Sequence, residues 1–295
     1  MQKFRRSPVF QAALLAALAA ILVLSAAAPA RAQSEDPAIW VDFERIRAAQ
    51  PALLEKQFAH LSKSQGDGGI YVVGVAGWSA QDVFIKELDG ALASLSRVLP
   101  ISSDRVVRLV NNVRTVDTIP IASPDNFKAA IGAVGRVMDK QKDTLILFMT
   151  SHGTPGGVVL KLGRAVAELS PRDVAETLEQ EQIKNRVVIV SACYSGVYLK
   201  PLANEDTFVL TAADSFSPSF GCSAKRSWTY FGDAFFNQSL RPGTDFQTAF
   251  GKARKLIRKW EIAGKLNPSN PQAFFGGELS RRIDSLLKAM AHSRS

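Results

Sequence analysis

From residue 70 onward, short apolar runs alternate with stretches in which apolar positions recur at helical spacing, the pattern of an α/β fold with a mostly parallel sheet. Ile70 to Val75 (IYVVGV) reads as the first strand. Phe84, Ile85, Leu88, Leu92, Leu95 and Leu99 then follow a 3.6-residue period, and Pro100 stops that helix. Residues 105–110 give a second strand. Ser123-Pro124-Asp125 starts a helix whose apolar face carries Phe127, Ala130, Ile131, Val134, Val137 and Met138.

Thr144 to Thr150 (TLILFMT) is apolar on both faces, which predicts a central strand. It ends at Ser151-His152-Gly153. A glycine-rich turn from Gly153 to Gly157 leads to Val158–Leu160, a small hairpin expected outside the main sheet. Ser170-Pro171-Arg172-Asp173 caps a helix over 171–182. Val187 to Val190 is wholly β-branched, again a central strand, and ends at Ser191-Ala192-Cys193. A fifth strand, Phe208 to Thr211, precedes a polar loop over 213–226. Phe246 to Gly264 reads as a strongly basic helix, with Phe246, Ala249, Phe250, Ala253, Ile257 and Trp260 on one packed stripe and its cations in solvent.

The amino terminus changes the compartment. Lys3, Arg5 and Arg6 form a basic start, residues 12–28 are almost wholly apolar, and Ala30-Arg31-Ala32 offers small residues at the two positions that a signal peptidase inspects. Residues 1–32 therefore read as a signal peptide cleaved before Gln33, and 33–295 as one domain of a periplasmic or secreted protein. A membrane anchor fits less well, because the apolar run is short of the roughly 20 residues a spanning helix needs. Loss of the leader lowers the formal net charge from +9 to +5. That mild excess, on an exported chain, argues against nucleic acid as a partner and leaves contact with an anionic membrane surface or cell wall as a minor role.

Only two cysteines are present, Cys193 and Cys222, too few for a disulfide framework. His152 and Cys193 both close central strands, and ligands of open parallel sheets bind beyond the carboxyl ends of the strands. The two lie 41 positions apart, comparable to the roughly 50 of the caspase order of His before Cys. A thiol needs a neighbouring imidazole to become a thiolate at neutral pH, and that imidazole can then protonate a leaving amine. The amides of Gly153 and Cys193 stand where an oxyanion hole would form. The competing readings are a structural histidine and a Cys193 that is a core filler or the disulfide partner of Cys222. His60 and His292 read as surface residues. No cluster of ligands supports zinc, and no cofactor is expected.

The stretches LILFMTSHGTPGGV and VVIVSACYSGVY resemble the two active-site blocks of the legumain family, and FVLTAADSFSPSFGCSAKRSWTYFGDAFF resembles its specificity-loop region. The resemblance covers roughly residues 70–240 and is densest around His152, Cys193 and Asp233. It implies a caspase-like three-layer sandwich, helices on both faces of the sheet, and a cysteine endopeptidase acting on peptide or protein substrates through a thioester. It makes Cys193 the nucleophile, His152 the general acid/base, Ser219 and Asp233 walls of the primary pocket, and Cys222 a free thiol. A transpeptidase is the close variant, and a non-catalytic scaffold with Cys193 and Cys222 joined is the alternative.

The chain departs from the family pattern in four places. Tyr194 stands where the family has an acidic residue, GWSAQDVFIKELD lacks the family's pocket arginine, no asparagine stands ready to orient His152, and little chain follows Phe275 to serve as a propeptide. Strict preference for asparagine is therefore not expected.

Overall fold

A computed structural model describes residues 42–66 and 68–293; the expected signal peptide lies outside the described residues. Six strands form the main sheet: β1 (Ile70–Ala76), β2 (Val106–Val110), β3 (Thr144–Thr150), β7 (Arg186–Ser191), β8 (Thr207–Thr211) and β9 (Gln272–Phe275). Their order is β2-β1-β3-β7-β8-β9, with β9 antiparallel to β8 and every other pair parallel. The two strands read as central are central. Each is buried along its whole length and paired on both sides.

Alternation along these strands sorts side chains to two cores. Ile146 and Phe148 of β3, with Val187 and Ile189 of β7, face one core. That core is closed by α2 (Val83–Val98), α5 (Phe246–Ala263) and α6 (Gly277–Ser293), together with a π-helical stretch over Asp233–Ser239. Leu145, Leu147 and Met149, with Val188 and Val190, face the other. There α1 (Phe43–Phe58), α3 (Pro124–Val137) and α4 (Pro171–Gln180) complete the layer. The result is the three-layer caspase-like α/β arrangement.

Caps set the helix starts as expected. The Ser123 hydroxyl accepts from the Asn126 N–H at 3.2 Å, and Ser170 and Asp173 form a reciprocal capping box. Helix α4 ends at Gln180, two residues before the expected limit, where Gln182 turns into the left-handed region at φ 55°. The expected hairpin is a three-stranded antiparallel sheet of β4 (Gly153–Thr154), β5 (Gly157–Leu162) and β6 (Ala165–Leu169). The Tyr198 hydroxyl bridges it to the segment after β7, accepting from the Val158 N–H at 2.9 Å and donating to the Leu169 carbonyl. Among the described residues no helix is long and apolar enough to cross a membrane.

Candidate active site

Strands β3 and β7 are neighbours in parallel register, with Thr150 opposite Ser191, and the Ser151 N–H donates to the Ser191 carbonyl at 3.2 Å. His152 and Cys193 thus each lie two residues beyond the last registered pair, on the same rim of the sheet. The chains stay in contact past that pair. A Cβ placed on Gly153 would stand 2.2 Å from the Cys193 carbonyl oxygen and 3.1 Å from the Ala192 Cβ, so this close approach requires glycine. The Val159 N–H donates to the His152 carbonyl at 2.9 Å, which turns the chain out of the main sheet into the small one.

The half-buried His152 ring is held on three sides. Trp78 meets it edge-on at 4.5 Å between ring centres and Phe84 at 5.2 Å. Its Nε2 lies 2.6 Å from Oε1 of Gln81, which stands in the loop between β1 and α2. A carboxamide oxygen only accepts, so a proton on Nε2 satisfies this contact in the neutral ring. The Lys161 ammonium lies over the Trp78 ring at 4.6 Å, backing this wall with positive charge.

The Cys193 sulfur faces Ser219. It accepts from the Ser219 N–H at 3.2 Å and lies 3.6 Å from the carbonyl oxygen and 3.7 Å from the hydroxyl of the same residue. Tyr194 adopts a left-handed backbone at φ 57°, unusual for an aromatic residue, and its N–H donates to the Ser217 carbonyl at 2.9 Å. A Cβ on Gly196 would come within 2.5 Å of Ser215 N, so the turn after Cys193 is packed tightly on the loop that carries Ser217 and Ser219. Both cysteines are free thiols. Burial, reinforced by the nearby Cys193 and Glu87, pushes the Cys222 thiol up to about 12. The Asp233 carboxylate accepts from Asn237 at 2.8 Å and Gln238 at 3.2 Å within its own helical stretch, and no described contact joins it to Cys193.

Directly beneath this rim lies a carboxyl group. Glu87 of α2 is wholly buried, and its oxygens accept from the hydroxyls of Thr150, Ser191 at 3.2 Å and Thr229 at 2.5 Å. Burial outweighs these donors and raises its pKa from 4.5 to about 7. Sequence reasoning missed Gln81 and Glu87. Glu87 did leave a trace: it falls three positions after Phe84 and beside Leu88, an acid on the apolar stripe of a helix. Gln81 left none beyond being a polar residue after a strand.

Four surface grooves of ≈ 390 to ≈ 610 Å³ are lined by neither His152 nor Cys193, so the pair does not sit in any of them. Among the described residues no group of three or more His, Cys, Asp or Glu side chains could hold a metal ion.

A family model described as the Peptidase C13 family matches residues 111–274, more than half of the chain, and the matched segment includes both His152 and Cys193. No curated protein matches the chain. Among solved structures, the crystal structure of caspase-1 from Spodoptera frugiperda is similar, with a TM-score of 0.51 at 12% identity over 72% of this chain and 87% of that one. At that identity the likeness speaks for the fold alone. The extent of the family match carries the further step: the chain belongs to the Peptidase C13 family, and its fold is that of a caspase-like cysteine peptidase.

Proposed function

We propose that this chain is a cysteine endopeptidase in which Cys193 is the nucleophile and His152 the general acid/base. The observation that carries the reading is the parallel register of β3 and β7. It sets both residues two positions beyond Thr150 and Ser191 on one rim, while Gln81 holds the His152 ring from its far nitrogen. The free thiol of Cys193 favours this reading over a crosslinked scaffold.

In the proposed reaction the Cys193 thiol gives its proton to Nδ1 of His152, and the thiolate attacks the scissile carbonyl carbon. The oxyanion is met by the backbone N–H groups of Gly153 and Cys193, whose segments lie against each other. The imidazolium then protonates the leaving amine as the C–N bond breaks, which leaves a thioester on the sulfur. A water molecule gives its proton to Nδ1 and attacks the thioester; the acid leaves and the thiol is restored. Nδ1 handles the proton in every step, and Gln81 keeps the other nitrogen occupied.

Ser219, in contact with the sulfur, and Tyr194, directly after it, are the proposed substrate-side residues, with Asp233 further out on the wall. The open rim suits a peptide laid along it in extended form. The basic and apolar stretch over 1–32 supports export to the periplasm or the exterior.

Labelling with a peptide that carries an electrophilic carbonyl tests the assignment. The wild type should be labelled on Cys193, with label lost in Cys193→Ala and slowed by about 10³-fold or more in His152→Ala. Label that survives Cys193→Ala overturns it.

A further inference from the structure

The face of the sheet that carries His152 and Cys193 has three layers along the strand direction. Phe148 and Ile189 form the apolar layer, Thr150 and Ser191 the next, and His152 and Cys193 the rim. The middle layer is polar and wholly buried, an unusual composition between an apolar core and a cleft. At its centre is the Glu87 carboxyl group.

Three separate parts of the chain converge on this one side chain. Thr150 comes from the end of β3, two residues before His152. Ser191 comes from the end of β7, two residues before Cys193. Thr229 comes from the far end of the loop whose Ser219 touches the sulfur, and both its hydroxyl and its backbone N–H bond to Glu87. The hydroxyl oxygens of Ser191 and Thr229 also lie 3.1 Å from each other. Gly232 closes the site from below, where a Cβ would stand 1.8 Å from a Glu87 oxygen. The side chain is therefore fixed as well as buried.

We propose that Glu87 is a positioning residue of the Cys193 and His152 chemistry: as a carboxylate it gathers the hydroxyls of Thr150, Ser191 and Thr229, and so holds the two strand ends and the Ser219 loop in their reactive arrangement. This rests on the peptidase reading. An ionised carboxylate only accepts, so all three hydroxyls can point inward at once. Once protonated it must donate to one of them, and that hydroxyl has to turn its own hydrogen away. Three hydroxyls around one carboxyl group are therefore best satisfied when it is ionised.

Among the described residues no cation is a hydrogen-bond partner of Glu87. The titratable group recorded in electrostatic contact with it is the Cys222 thiol; the donors from β3, β7 and the 229 segment are neutral. Loss of a hydroxyl therefore leaves the carboxylate less well satisfied and raises its pKa further.

The test is the rate at which iodoacetamide alkylates Cys193, followed site by site by mass spectrometry from pH 5.5 to 9, in the wild type, Glu87→Gln and Thr229→Val. The wild type should show a step near pH 7 that Glu87→Gln abolishes, with the rate at pH 8 reduced at least about tenfold. Thr229→Val should move the step to higher pH. Were Glu87→Gln to fail to fold, the shift in Thr229→Val would decide alone. A purely structural carboxyl group would lower the melting temperature without moving the step, and an unmoved step in Thr229→Val or an unchanged profile in Glu87→Gln overturns the proposal. Peptide cleavage by the wild type and by Cys193→Ala is measured in parallel. Its failure would defeat the peptidase reading, while the alkylation profiles would still decide the role of Glu87.

Discussion

Gln81 and His152, 71 positions apart in sequence, are joined by a 2.6 Å hydrogen bond between a carboxamide oxygen and Nε2. The contact does two things at once. It holds the ring in place, together with Trp78 and Phe84, and it favours a proton on Nε2. Gln81→Ala should lower kcat for peptide hydrolysis by about 10- to 100-fold with little change in KM, because orientation and not substrate contact is lost. Gln81→Glu should recover part of that loss and move the histidine limb of the pH profile upward, since a carboxylate stabilises the imidazolium. An alanine variant with wild-type kcat would remove Gln81 from the mechanism.

Gly153 bears on the same geometry from the backbone side. Any side chain there collides with the Cys193 carbonyl, which belongs to the main chain and cannot rotate away. Gly153→Ala should separate the two segments and cut kcat/KM by about 100-fold or more, with a loss of stability of roughly 1–3 kcal/mol by overpacking. The contrast is Gly251→Ala in the middle of α5, where nothing lies within 4 Å of a new Cβ. That change should raise stability by up to about 1 kcal/mol, as measured by urea denaturation, and leave kcat/KM unchanged.

How far the sequence reveals this site depends on the kind of signal each residue leaves. Strands β3 and β7 were legible because an unbroken apolar run with buried faces on both sides has few other homes, and the motif ends of those runs located His152 and Cys193 directly. Helix α1 was not, because only Ile46 and Gln50 of its sixteen residues are buried and no apolar stripe stands out. Strand β9 is one exposed and three half-buried residues whose partner β8 lies some sixty positions away, a pairing that no local pattern encodes. Gln81 and Glu87 belong to the same class. Their meaning lies in partners on other strands, and a single polar residue near a helix start looks the same whether it faces solvent or an imidazole.

The two thiols should differ sharply in the folded protein. Cys222 has its pKa raised from 9.0 to about 12, with burial the leading cause. At pH 7.5 its thiolate fraction is then on the order of one in 10⁴ or less. The folded form thus holds this proton more tightly than the unfolded chain does, and the associated stability is present below about pH 9 and lost only as pH rises toward 12. Titration of the native protein at pH 7.5 with a mild alkylating reagent should modify Cys193 alone. Cys222 should react after unfolding in denaturant. Equal rates at both positions in the native state would contradict the burial described here.

Glu87 carries a cost in stability that follows from the same burial. Its pKa is about 7 in the folded protein against 4.5 as the ordinary value, so the folded state binds the proton more tightly. The contribution is complete below about pH 4.5 and is lost as pH rises through about 7, by on the order of 3 kcal/mol at 1.36 kcal/mol per unit. Asp82, Asp173 and Asp245 work in the opposite sense, since their pKa values are lowered and their contributions fade in acid. The effect of Glu87 must therefore be read as a difference. Between pH 5 and pH 8 the unfolding free energy of the wild type should fall relative to Glu87→Gln, whose side chain cannot titrate. If Glu87 acts as proposed, the variant that gains most in relative stability at pH 8 is also the one whose Cys193 reacts more slowly there. Parallel stability curves for the two proteins would mean that Glu87 does not change charge in this range, and that the buried hydroxyl layer is held by a permanently neutral acid.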